Sequence, residues 1–116
     1  MLIDKEEMLA NAFGMWISAL FSDIAGYNPH MSFTEQKLNF FVLVRELLDA
    51  GKIKFCTPNE FWSEGNDVWD VDSQKIVEYL QSKWPESAQS EADLSEYFFE
   101  IPAVLWIDEQ GNFVGS

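Results

Sequence analysis

Three short stretches of this chain set large aromatic rings between carboxylates: Glu60-Phe61-Trp62-Ser63-Glu64, Asp67-Val68-Trp69-Asp70 and Glu96-Tyr97-Phe98-Phe99-Glu100. Rings of this kind supply rigid apolar contact area, and flanking carboxylates speed encounter with a positively charged surface. The pairing therefore suits recognition of a basic protein. Glu60, Trp62, Glu64, Asp67, Trp69, Asp70 and Asp72 form the first group of candidate partner-binding residues, and Glu96 and Glu100 form the second. The competing reading is that the rings belong to the core and the acids only keep the surface solvated. Sequence alone leaves open which rings face outward.

Other chemistries are poorly supplied. Glu60, Glu64, Asp67, Asp70 and Asp72 are the kind of oxygen ligands a hard cation prefers. The calcium-loop pattern nevertheless fails after Asp70-Val71-Asp72, which lacks both the required glycine and the closing glutamate. No metal site and no cofactor are expected. His30 follows Pro29 in a turn-like segment and no serine stands in a nucleophile elbow, so no hydrolytic triad is indicated. Cys56 is the only cysteine, so it closes no intrachain disulfide and reads as a small hydrophobe. The glycines are scattered, with no phosphate-cradling loop. Enzyme activity is not expected.

Charge narrows the class of partner. The first 55 residues carry seven acids against five bases and the remaining 61 carry thirteen against two, for a formal net charge of -13. Lys52 and Lys54, beside twenty acids, cannot supply the counterion release on which nucleic-acid binding depends. Direct nucleic-acid and membrane binding are excluded on this ground, whereas a cationic protein is favoured. Aromatics make up 16% of the chain, which argues against a disordered acidic tail and for a folded acidic surface. The opening Met-Leu-Ile-Asp-Lys-Glu-Glu has no signal-peptide character, and no window reaches the ~20 apolar residues of a membrane span. A cytoplasmic location is expected.

The elements that must position these residues are legible as patterns. Asp4 and Glu7 have capping-box spacing, and Met8, Leu9, Ala12, Phe13, Trp16, Ile17, Leu20 and Phe21 then recur at three- and four-residue steps. One amphipathic helix of about four turns is predicted there. Ser32 or Thr34 caps a second helix that runs to Gly51 and is apolar on nearly every side between Leu38 and Leu48. Lys52-Ile53-Lys54-Phe55 alternates as a short strand. Asp72 or Ser73 caps a third helix, Gln74 to Lys83, with Ile76, Val77, Leu80 and Trp84 inward, and a helical turn spans Asp93 to Phe98. Ala103 to Ile107, the turn at Asp108-Glu109-Gln110-Gly111-Asn112 and Phe113-Val114 read as a strand and its return. The expectation is a single α+β domain over residues 1–116, with a three-helix core and a small antiparallel sheet.

Two of these segments resemble a small bacterial family of uncharacterised domains. Phe41-Val42-Leu43-Val44-Arg45-Glu46-Leu47-Leu48-Asp49-Ala50-Gly51-Lys52-Ile53-Lys54 is similar to that family's leucine-rich helix and following Gly-Lys-Ile-Lys strand. Ile101-Pro102-Ala103-Val104-Leu105-Trp106-Ile107-Asp108-Glu109-Gln110-Gly111 resembles its closing Pro-Ala, Trp and acidic-Gly turn, with a looser likeness around Ser73 to Pro85. Members of such families are often immunity proteins encoded beside polymorphic or contact-dependent growth-inhibition toxins. The resemblance implies an immunity protein that neutralises the C-terminal toxin domain of a cognate effector, and the acidic charge makes a basic nuclease the expected target. The alternative is an acidic regulatory adaptor that meets a basic nucleic-acid-binding protein. The oligomeric state is left open.

Overall fold

The computed structural model describes residues 4–58 and 68–114. The elements run α1 (Lys5–Ala12), α2 (Ile17–Tyr27), α3 (Phe33–Asp49), β1 (Ile53–Phe55), α4 (Ser73–Ser82), a 3-10 turn (Glu91–Leu94), α5 (Ser95–Glu100), β2 (Val104–Ile107) and β3 (Phe113–Val114). This is the α+β architecture expected, with a more divided helical layer than three helices.

The predicted first helix is two helices. Chain direction breaks after Ala12, where Gly14 takes a left-handed φ of +79° and Trp16 becomes the extended N-cap of α2. A β-carbon would be strained at that φ, so glycine permits the break. Tertiary contacts then fix it: the Trp106 indole N–H donates to the Met15 carbonyl at 2.9 Å, and the Phe13 ring lies 5.7 Å from Trp106. The expected Asp4–Glu7 capping box is also absent. Asp4 itself sits at φ 55°, and its side chain caps nothing.

Elsewhere, local signals act as written. Ser32 accepts from the Glu35 N–H at 3.1 Å while its own N–H donates to the Glu35 carboxylate at 3.0 Å, which starts α3 with a complete capping box. Gly51, at φ +71°, closes that helix with the Lys52 N–H on the Leu47 carbonyl at 2.9 Å and the Gly51 N–H on Leu48 at 3.1 Å. Asp72 caps α4 by accepting from the Lys75 N–H at 2.8 Å.

Helix α3 is central, with Phe40, Phe41, Leu43, Val44 and Leu47 buried, although Leu38 and Val42 reach solvent. Phe21 of α2, Phe40, Trp84 and Phe98 meet as edge-on and tilted rings with centroids 5.3 to 5.9 Å apart. Burying such a ring stabilises the fold by roughly 2 to 3 kcal/mol. Tyr97 joins the cluster at 5.1 Å from Trp84 and satisfies its hydroxyl by donating to the Leu80 carbonyl at 2.7 Å; burial pushes its pKa well above the usual phenol range. Buried Gln36 donates to the Phe21 carbonyl at 3.1 Å, tying α3 to α2.

The sheet has strand order β1-β2-β3, antiparallel throughout, with Ile53 opposite Trp106, Phe55 opposite Val104 and Ile107 opposite Phe113. Ile53, Phe55, Val104 and Trp106 point into the core, so Lys54, Leu105, Ile107 and Phe113 fall on the outer face by alternation. The Asp108 carboxylate accepts from the Gln110 N–H at 2.9 Å and the Asn112 N–H at 2.8 Å, which shapes the β2–β3 turn.

Candidate protein-docking face

The predicted site residues fall into three situations. Glu60, Trp62, Glu64 and Asp67 lie outside the described residues. Trp69 is half-buried: its ring packs edge-on against Tyr79 at 5.2 Å and its backbone N–H donates to the Phe55 carbonyl at 2.8 Å. Asp72 is exposed but engaged as the α4 cap, and Asp70 is exposed. Glu96 and Glu100 are both exposed on α5, on either side of Phe99, which is 78% accessible. An isolated bridge pairs Cys56 with Val68, and the Cys56 N–H donates to the Ala103 carbonyl at 2.9 Å. The described ends of the first acidic stretch therefore stand beside the start of β2, which is also where α5 delivers its chain.

Around that end of the sheet lies an apolar surface that sequence reasoning missed. Trp16 is 56% accessible and Met15 52%, both on the elbow between α1 and α2. Trp16 forms a ridge between two depressions. On one side, a cleft of about 140 Å³ is lined by Trp16, Ile17, Phe98, Phe99, Pro102 and Val104, among other apolar residues. On the other, an open hollow runs from Gly14 past Ala19 to Ser22. The Ser22 hydroxyl donates to the Glu91 carboxylate, joining α2 to the 3-10 turn ahead of α5. A larger hollow of about 770 Å³ lies under α1, floored by Leu9, Phe13 and Trp106, but Lys52 stands among the acids at its rim. The helical repeat in the sequence assigns Phe13 and Trp16 to a core stripe, whereas both are exposed. Gly14 between them was the available signal for a break.

Electrostatics give the face one sign. Residues 6–36 contain no lysine or arginine, and neither do residues 84–116. Together they supply α2, the elbow, α5, β2 and β3, so the two base-free stretches meet here. Four of the seven bases are already engaged: Lys5 pairs with Glu46 at 3.0 Å, Arg45 pairs with Asp49 at 3.1 Å, and Lys37 and Lys83 lie over the Trp84 and Tyr79 rings. The negative field extends to the near-neutral half of the sequence. Burial pushes the Tyr27 phenol up, and the carboxylates of Glu7, Asp23 and Asp4 push it further. Burial likewise raises the Asp23 carboxyl. Among the described residues, no three His, Cys, Asp or Glu side chains gather as a metal ion would require, and no helix is long and apolar enough to cross a membrane.

The fold and this face define a small α+β domain that presents an acid-flanked aromatic surface. Neither a protein-family model nor a curated protein matches the chain. Among solved structures, it is similar to an uncharacterized protein conserved in bacteria, from Neisseria meningitidis. The two share a TM-score of 0.70 and 22% identity, over 93% of this chain and 83% of that one. A likeness at this identity speaks to the fold.

Proposed function

We propose that this chain is an immunity-type protein that binds a cationic toxin domain and blocks it by covering its active site or substrate groove. The observation that carries this reading is the base-free face, where exposed rings and carboxylates from separate parts of the chain converge without an opposing charge. A nuclease holds phosphates with lysine and arginine. Carboxylates presented on a folded surface occupy the same cations through charge-assisted hydrogen bonds and exclude the nucleic acid. The resemblance of Phe41 to Lys54 and Ile101 to Gly111 to domains found beside toxin genes supports the toxin as the kind of cationic partner.

Co-purification with the toxin domain encoded beside this gene, followed by a salt titration of the association rate, tests the reading. Association is expected to slow by at least roughly tenfold as salt screens the face. Tight binding that ignores salt and survives Glu96→Lys with Glu100→Lys would refute the electrostatic basis. A basic partner bound in the absence of any neighbouring toxin gene would replace immunity with the adaptor role.

A further inference from the structure

We infer that the cleft between Trp16 and Phe99 is the anchor subsite of this face, and that it takes one large apolar side chain from a lysine- or arginine-rich segment of the partner. The inference rests on the cationic-partner reading above and adds where the contact is anchored. Every residue lining the cleft is apolar, and the two flanking rings are among the most exposed large side chains described, at 56% and 78%. An apolar cavity of about 150 Å³ accepts a benzene-sized group, and this cleft offers about 140 Å³. A cation placed inside would lose its water without meeting a carboxylate, because none lines the cleft. The apolar group therefore belongs inside and the charges at the rim.

The rim is suited to those charges. Glu96 and Phe99 are three residues apart on α5 and share a face, and Glu96 and Glu100 are one turn apart. No lysine or arginine lines the cleft. Lys54 of β1, across from Leu105 of β2, lies on the outer sheet face rather than on the side of Val104. A basic segment thus meets the Glu96 and Glu100 carboxylates on α5 and no repelling base in the lining, and its ring or branched aliphatic side chain finds a preformed slot. Exposed rings in such a slot are what binding hot spots are made of.

The test uses the full chain, isotope-labelled, and two short synthetic peptides: phenylalanine flanked on both sides by lysine pairs, and the same peptide with alanine at the centre. Amide shifts at Ile17, Phe99 and Ala103 report the cleft. The phenylalanine peptide is expected to bind about tenfold more tightly than the alanine peptide. Phe99→Ala, a change at an exposed position, should abolish that difference. Equal binding of the two peptides, both released at high salt, overturns the anchor and leaves the cationic-partner reading standing. A glutamate-flanked phenylalanine peptide that binds as well as the lysine-flanked one overturns the cationic-partner reading itself. A concentration-dependent dimer that Phe99→Ala dissolves would give the cleft to a second copy of this chain and overturn the inference.

Discussion

Trp106→Phe separates the contact that shapes the face from the core that merely supports it. Trp106 of β2 is almost fully buried, pairs with Ile53 of β1, and sends its indole N–H to the Met15 carbonyl at 2.9 Å. Losing that hydrogen bond costs about 1 kcal/mol, since the accepting carbonyl is partly exposed and water replaces the donor. The smaller ring leaves roughly 40 Å³ unfilled beneath Phe13, worth about 1 kcal/mol as a cavity. Lost apolar burial adds about 1 kcal/mol. The expected destabilisation is about 3 kcal/mol, or a fall in Tm of roughly 12 °C at about 4 °C per kcal/mol for a chain of this size. Urea unfolding measures the total, and native-state amide exchange locates it. The Met15 and Ala19 amides, which donate to Ala12 at 3.0 Å and Trp16 at 2.9 Å, should lose protection more than those of α3. A loss under about 1 kcal/mol, or unchanged protection of the elbow relative to α3, refutes the claim that Trp106 pins it.

Ser32 and Asp23 offer further checks on the same structure. Ser32→Ala removes the hydroxyl that accepts from the Glu35 N–H and should cost about 1 kcal/mol in chemical unfolding. The Ser32 N–H and hydroxyl hold the Glu35 carboxyl below its ordinary value of 4.5, and the Ser73 hydroxyl, with Arg45, holds Asp49 below 3.8. Carboxylates depressed in the folded state add stability above their ordinary values and lose it as pH falls through the lowered ones, so an acid titration of Tm should decline below 4.5, and less steeply in Ser32→Ala, which loses the hydroxyl but keeps the Ser32 N–H on Glu35. Asp23 has the opposite sign: burial raises it above 3.8, so its charged form opposes folding once pH exceeds the raised value. Asp23→Asn is therefore expected to raise Tm at neutral pH, with the gain vanishing at pH well below 3.8, and a loss at neutral pH would show that the desolvation argument is wrong.

Where a local signal met no competitor, it decided the structure. The Ser32 and Asp72 caps, the Gly51 stop and the Asp108 turn all use neighbours within five residues, and each forms as its pattern predicts. Ile76, Val77, Leu80 and Trp84 are inward for the same reason, because one helical face must be buried. The long apolar repeat from Met8 to Phe21 failed as a single helix because periodicity counts spacing and cannot register an acceptor. The Met15 carbonyl turns toward an indole 91 residues away, and no pattern within the first helix encodes that partner.

The candidate face shows the same division. Sequence determined the fold class, the excess of carboxylates, the base-free runs and the placement of Phe99 between Glu96 and Glu100. Its division of charge into a near-neutral half and an acidic half did not carry over into space. α2 and the elbow come from the first half, yet they pack beside α5 and β2 from the second, so the acid-flanked surface draws on both. Tertiary structure alone decided that Trp69 packs on Tyr79 while Trp16 stands in solvent, because exposure depends on which other elements cover a ring. That covering is settled by packing between segments distant in sequence.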